Sequence, residues 1–284
     1  MNTIALLTDF GYGEYVGIMK GVILTHCPKP LNIIDITHSI EPQNILQASW
    51  ILSTAVPYFP KGTIFVCVVD PGVGGERNSI VIKSKEYIFI GPNNGIFSHT
   101  LKCCTIEIEH VYELNTNQSS KTFQGRDVFS RNAGLICAAN SVDAVDGKVN
   151  DSIDIYQLQL FSNYDNINDN NTISKEIIVQ IVSIDSFGNL ISDYFLTSRN
   201  QVEKDKMQSI SAIQLMKSND SNTLTDSKEN IPIHFCSTYE EGAKLNYSLI
   251  CLIGSNDTFE ISIVNGNAQS VLHVSIGDTI KLIF

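Results

Sequence analysis

The chain has 284 residues, of which 43% are hydrophobic and 17% charged, and a formal net charge of −11. That length allows two domains and that apolar content fills real cores, which excludes disorder for most of the chain. The acidic balance excludes nucleic acid and anionic membrane surfaces as partners, because neither polyanion is drawn to such a field, while a cationic small substrate is tolerated.

Ile4–Asp9 reads as a short apolar strand that ends in an acid, followed by the turn Phe10–Gly13. Glu14–Thr25 then carries Val16, Met19, Val22 and Ile23 at helical spacing, and Cys27-Pro28 stops it. Leu31–Ile36 is the next strand, Ile40–Asn44 a turn, and Ile45–Tyr58 a second helix closed by Phe59–Gly62. Thr63–Val69 is a buried strand delivering Asp70 into the glycine-rich turn Pro71–Gly75, with Arg77 seven residues beyond the acid. Strand and helix alternate, which implies parallel pairing and right-handed crossovers, with the strands' C-terminal ends on one edge. Asp9 and Asp70 then share that edge, where ligands bind in open α/β sheets. Asp-Pro-Gly is equally ordinary turn chemistry, so this stretch alone does not separate a site from a capped turn.

Ser79–Ser84, Tyr87–Ile90 and Ile106–Leu114 are further strands, Gly91–Gly95 is a strand-end turn, and Cys103-Cys104 reads as a strand edge. After Thr122–Phe129 a helix runs through Ala133, Leu135, Ile136 and Ala139 to about Asn140. The Asn/Asp-rich stretch Phe161–Asn171 cannot bury enough apolar surface to order as core. It marks a linker over 161–173 between an N-terminal α/β domain (1–160) with a mostly parallel sheet and a C-terminal domain (174–284). In the latter Glu176–Ile184, Ile213–Met216, Leu249–Ile253, Phe259–Val264, Val271–Val274 and Thr279–Ile283 are short strands with almost no helical period, the pattern of a β-barrel or sandwich. Ser218–Asn230 is a polar insertion.

Seven cysteines (27, 67, 103, 104, 137, 236, 251) show no C-x-x-C spacing, the pattern of reduced thiols in a cytoplasmic protein. Six scattered histidines (26, 38, 99, 110, 234, 273) lack H-x-x-x-H or H-E-x-x-H spacing and read as surface or core polar groups, so no metal and no cofactor is expected. The chain enters an apolar strand without a basic n-region, and no apolar run reaches the ~18 residues of a membrane span.

Six motifs occur in order along nearly the whole chain: Leu7–Gly11, Val69–Gly74 with Arg77, Pro92–Gly95, Thr122–Asp127, Ile184–Asn189, and Ile253–Asn256 with Phe259–Ile261. Together they make the chain resemble the S-adenosylmethionine hydroxide adenosyltransferases, or S-adenosylmethionine hydrolases, whose relatives include fluorinating and chlorinating enzymes that use the same substrate. The resemblance implies an N-terminal α/β domain, a C-terminal β-barrel, and a homotrimer whose sites lie between one subunit's N-domain and a neighbour's C-domain.

The resemblance also implies roles. Asp9 takes the ribose hydroxyls, Asn189 the adenine, Phe187 and Tyr239 pack on the base, Asp185 holds the methionine ammonium and Ser255 its carboxylate. Phe10, Asn94, Asn256, Glu260 and Asn265 complete the substrate-binding set. Asp70, Arg77 and Gln124 stand at the positions that orient and activate water for in-line attack on the ribose 5′ carbon, from which a neutral thioether departs. The halogenating relatives carry an aromatic at the position of Asp70, so Asp70 favours hydrolysis. The hydrolases place a histidine at the position of Gln124; an amide orients a water but does not take its proton near neutral pH. Pro92-Asn93-Asn94-Gly95 replaces the family's Pro-Asp-Asn-Gly, and Asn256 stands where the fluorinating enzyme has an arginine. A non-catalytic S-adenosylmethionine or adenosine binder, and a halide-using transferase, are the alternative readings.

Overall fold

The structure, a computed structural model, describes residues 2–117, 119–160, 176–195, 206–218, 224–226 and 229–284. Two compact units, Met1–Leu158 and Gln159–Phe284, divide the chain. The linker expected at 161–173 lies outside the described residues.

In the N-terminal unit the elements run β1 (Asn2–Thr8), α1 (Glu14–His26), β2 (Leu31–Thr37), α2 (Ile45–Ala55), β3 (Ile64–Val68), β4 (Ser79–Ser84), β5 (Ile88–Pro92), α3 (Ser98–Cys103), β6 (Ile108–Leu114), α4 (Arg131–Ala139) and β7 (Gly147–Val149). They build one seven-stranded sheet in the order β2-β1-β3-β5-β4-β6-β7. β2, β1, β3 and β5 are mutually parallel; β4 runs against both β5 and β6, and β7 against β6. The sheet is therefore mostly parallel, but the strict parallel alternation read from the first three strands ends at the β4–β5 hairpin.

The central strands sort their side chains by the two-residue period. Ile4, Leu6, Val66 and Val68 face Met19, Ile23, Phe129 and Ile136, while Ala5, Leu7, Phe65 and Cys67 face Ala48, Leu52 and Phe97. Helices thus cover both faces, and β3 is buried at every position. Each such fully buried Ile, Leu or Phe contributes roughly 1.5–3 kcal/mol. Asn44 caps α2 by accepting from the Gln47 amide at 3.0 Å, and Val56–Tyr58 continues it as a 3₁₀ turn. Cys103 and Cys104 end α3 instead of edging a strand: apolar runs this short carry no decisive period.

In the C-terminal unit β8 (Glu176–Ile184), β9 (Leu190–Phe195), β10 (Ala212–Ser218), β11 (Leu224–Asp226), β12 (Ile231–Pro232), β13 (His234–Phe235), β14 (Leu249–Ile253), β15 (Thr258–Ile263) and β16 (Thr279–Ile283) form a nine-stranded, nearly barrel-shaped sheet. β8 turns the corner: Glu176–Gln180 pair with β16, Ile181–Ile184 pair with β9, and a register shift marks the bend. Inward-facing Val179, Ile181, Leu190, Ile213, Phe259, Ile261 and Ile280 fill the core. Two expectations change. Val271–Val274 is no strand, because Asn267 caps a short helix over Ala268–Leu272 by accepting from Ser270; and the polar insertion supplies a strand, β11, paired with β10.

Gly74 packs the loop after β3 against the loop before Gln124. Its φ is +73°, and a Cβ would stand 2.3 Å from the Lys121 carbonyl oxygen. Gly74→Ala is expected to lower the unfolding free energy by about 1–3 kcal/mol, read as a lower urea midpoint at unchanged slope. An unshifted midpoint would show that the two loops are not held together there.

Candidate active site

The parallel register Thr8↔Val68 between β1 and β3 brings Asp9 and, one residue further along, Asp70 out at the same C-terminal edge of the sheet. Asp70 meets Arg77 across its own glycine turn. Arg77 Nε donates to Asp70 Oδ1 at 3.0 Å, and Nη2 donates to Asp70 Oδ2. Nη2 also donates to Gln124 Oε1, from the chain's 115–124 segment, and Nη1 donates to Ser79 Oγ at 2.7 Å. The side chains of Arg77 and Asp70 are only 12% and 5% exposed, and Phe129 lies 5.7 Å beneath the guanidinium. A bidentate, nearly dry pair of this kind is geometrically demanding. The three residues proposed as catalytic therefore form one contiguous network, and Ser79, which gave no signal beyond starting a strand, joins them.

Asp9 Oδ2 accepts from the Gln43 amide at 2.8 Å. Its turn is held by residues that sequence reasoning left as generic polar groups. Thr8 Oγ1 shares a hydrogen with His38 Nδ1 at 2.8 Å and accepts from the Phe10 amide, while His38 Nε2 reaches Asp35 at 3.1 Å and Lys20 reaches Asp35 at 2.6 Å. Burial alone would raise the Asp35 carboxyl, but hydrogen bonds from Lys20 and His38 hold it below the usual carboxylate range. Phe10 packs edge-on against Tyr15 and Phe123. Asn94 spends its amide on the backbone: Nδ2 donates to Val69 O at 2.8 Å and Oδ1 accepts from Ile96. It braces the strand end that carries Asp70.

In the C-terminal unit four expected residues also join. Asp185 closes a tight turn by accepting from the amides of Phe187 and Asn189, each at 2.9 Å, and from Asn189 Nδ2 at 2.8 Å. Gly188 makes this turn possible at φ +83°, packed against the Asn267 side chain. Asn189 Nδ2 lies 3.5 Å from the Tyr239 hydroxyl, which donates to Glu260 Oε1, and Ser262 Oγ donates to the same oxygen at 3.1 Å. Phe187 stands 73% exposed at the tip of the turn. Ser255 and Asn256 are exposed in the β14–β15 hairpin, whose Gly254 lies against Glu260. Asn265 is exposed in a left-handed turn, outside this network.

Other candidates carry less. A polar cleft of about 680 Å³ in the N-terminal unit contains Arg126 and Arg131, but each is already paired, with Asp127 and Asp146. The seven cysteines are free thiols, and burial pushes those of Cys67 and Cys251 up, and that of Cys104 to about 12, away from thiolate chemistry. Among the described residues no three His, Cys, Asp or Glu side chains gather to hold a metal, and no helix is long and apolar enough to cross a membrane.

The chain thus joins a mostly parallel α/β unit, with a buried carboxylate–guanidinium–amide network at a strand end, to a barrel-like unit with an acidic, aromatic-flanked polar cluster, the build of a two-domain α/β-plus-barrel protein. Residues 4–146 match the SAM hydroxide adenosyltransferase N-terminal domain and residues 179–281 the corresponding C-terminal domain. The chain belongs to the SAM hydroxide adenosyltransferase family. It is 33% identical over its whole length to an (R)-S-adenosyl-L-methionine hydrolase of Methanocaldococcus jannaschii, covering 97% of that protein. A fluorinase of Actinopolyspora mzabensis is 24% identical over 52% of this chain and 58% of its own. A crystal structure of an uncharacterized conserved protein from Thermotoga maritima superposes with a TM-score of 0.78 at 25% identity, over 99% of this chain and all of that one.

Burial, and then the hydrogen bond to Glu260, push the Tyr239 phenol up to about 12. Because the folded value lies above the unfolded one, the stabilisation is fully present below about pH 10 and is lost as pH rises from about 10 to 12. An absorbance titration of phenolate, wild type minus Tyr239→Phe, is expected to show one late-titrating tyrosine, with the wild type's stability advantage over Tyr239→Phe shrinking across that range. A difference curve centred at pH 10 would mean the Tyr239–Glu260 contact does not persist in solution.

Proposed function

We propose that this protein hydrolyses S-adenosyl-L-methionine to adenosine and L-methionine. The observation that carries the reading is the network of Asp70, Arg77 and Gln124 at the C-terminal end of β3, in a chain whose full-length relative is named for this reaction. In the reaction the C5′–S bond breaks, its electron pair leaving with sulfur as a neutral thioether; water oxygen bonds to C5′ and one proton is released. No acid is needed for the leaving group, so the protein's task falls on the nucleophile.

Both Asp70 oxygens already accept from Arg77, yet a carboxylate has about four lone-pair sites, so Asp70 can still accept from a water. Arg77 offsets the negative charge that would otherwise repel a hydroxide. Gln124 takes a donor's role. A guanidinium carries only N–H donors, so the atom of Gln124 that meets Arg77 is its oxygen, and only its amide N–H groups remain for the nucleophile. A histidine here would meet the same restriction: the nitrogen facing Arg77 accepts, and the other carries the proton. Gln124 therefore keeps the donor that a histidine would supply. Asp70 also disfavours a halide, which a carboxylate repels.

Substrate recognition falls to Asp9 with Phe10 in the N-terminal unit, and to Asp185, Phe187, Asn189, Tyr239, Ser255, Asn256 and Glu260 in the C-terminal unit, with Asn265 at its margin. The likeness of motifs supports a homotrimer in which each N-terminal network is completed by a neighbouring copy's C-terminal cluster, working in the cytoplasm without a cofactor, nucleic acid or membrane as partner.

Incubation with S-adenosyl-L-methionine, followed by chromatography, is expected to yield equal amounts of adenosine and methionine; intact substrate, or a 5′-halo product in added halide, would overturn the reading. Asp70→Asn is expected to lower kcat by about 10²-fold or more with KM changed only a few-fold. A collapse in affinity would instead make Asp70 a binding residue. Gln124→Leu removes the remaining donor and is expected to cost about 10²-fold, whereas Gln124→His stays within about tenfold of wild type. If both variants fall equally, the donor argument fails.

A further inference from the structure

Ser79 is the one member of the Arg77 network to which no role has been assigned. It opens β4, where its backbone is paired with Pro92, and it is 2% exposed. Its Oγ accepts from Arg77 Nη1 at 2.7 Å, which leaves the hydroxyl hydrogen free to point elsewhere, and Gln124 Oε1 lies 3.4 Å away. The Gln124 side chain is itself buried, 6% exposed, and its oxygen already accepts from Arg77 Nη2. Arg77, Ser79 and Gln124 thus close a ring in which two donors, from a guanidinium and a hydroxyl, converge on one amide oxygen. Rotating the amide by half a turn would aim its NH₂ at both donors, leaving buried N–H groups facing one another.

We propose that Ser79 is a positioning residue for the hydrolytic reaction: with Arg77 it locks the Gln124 amide so that the N–H groups face the nucleophile. The inference rests on the hydrolase reading and adds a residue and an atomic orientation to it. Ser79 touches neither substrate nor water in this account; it acts through Gln124 and Arg77. Its placement on a β-strand, with the backbone fixed by the β4–β5 ladder, suits that purpose better than a loop would.

Three substitutions in the full-length protein test this. Ser79→Ala deletes one oxygen and is expected to lower kcat roughly tenfold, the scale of one lost hydrogen bond to a charged group, with KM within about twofold, because no substrate contact is removed. Ser79→Thr keeps the hydroxyl and is expected to restore kcat. In a Gln124→Leu background Ser79→Ala is expected to cost clearly less than in the wild type, only the share that acts through Arg77, since the amide it positions is gone; a fully additive loss, or a matching rise in KM, would overturn the inference in favour of a general structural role. A readout without turnover separates this from the reading beneath it. The side-chain amide NMR signals of Gln124, identified by their disappearance in Gln124→Leu, are expected to shift in Ser79→Ala and return in Ser79→Thr. Unchanged signals would overturn the positioning role whatever the protein turns over, while a wild type that forms no adenosine but shows the shift would overturn only the hydrolase reading.

Discussion

The guanidinium of Arg77 is the group around which the N-terminal unit must be arranged. It is almost out of water, and a cation in that position is tolerable only if its donors find acceptors. Those acceptors come from the turn after β3, the first residue of β4 and the segment before α4, so the bonds to Asp70, Ser79 and Gln124 bind three separate stretches of chain to one plane. Removing any one acceptor strands a buried donor, and that asymmetry makes the arrangement specific: other packings of these loops would leave the cation unpaired.

The sheet supplies the rigidity this constraint needs. β3 is buried on both faces, Asn94 in the turn after β5 holds the Val69 carbonyl just beyond it, and Gly74 allows its loop to close on Lys121. On the neighbouring strand the Asp35–His38–Thr8 chain does for Asp9 what Ser79 and Asn94 do for the Asp70 network. In both places a carboxylate is presented at a strand end and held there by hydrogen bonds from loop residues. This is how a parallel sheet offers chemistry at its carboxyl edge without loosening its core.

Much of this was legible in the residues because it follows from chain order. Alternating strand and helix patterns put Asp9 and Asp70 on one edge, and a glycine-rich turn brings Arg77, seven residues on, back to Asp70. Ser79 and His38 were not legible, since a serine opening a strand and a lone histidine have many unremarkable roles, and only tertiary contact shows which one holds. The link from Asn189 through Tyr239 to Glu260 and Ser262 likewise joins elements far apart in sequence. The misread pieces share one physical cause. Val271–Val274 and Cys103-Cys104 are too short for periodicity to decide, so the Asn267 cap settled the first and packing of α3 on α2 the second.

The two units differ in electrostatics. In the N-terminal network the single carboxylate of Asp70 is matched by Arg77, so the locus is close to neutral and does not repel a hydroxide or the lone pair of an oriented water. In the C-terminal cluster Asp185 and Glu260 are linked through Asn189 and Tyr239 with no arginine or lysine bonded to either carboxylate among the described residues. Uncompensated carboxylates beside an exposed aromatic, Phe187, attract a cation carrying a flat base. A sulfonium nucleoside with an ammonium group has that character, and its charge at sulfur disappears when the C5′–S bond breaks. On the proposed hydrolase reading, in which this cluster meets the substrate, it would favour the charged sulfonium over the neutral nucleoside product and so ease release of adenosine relative to loss of the substrate before reaction.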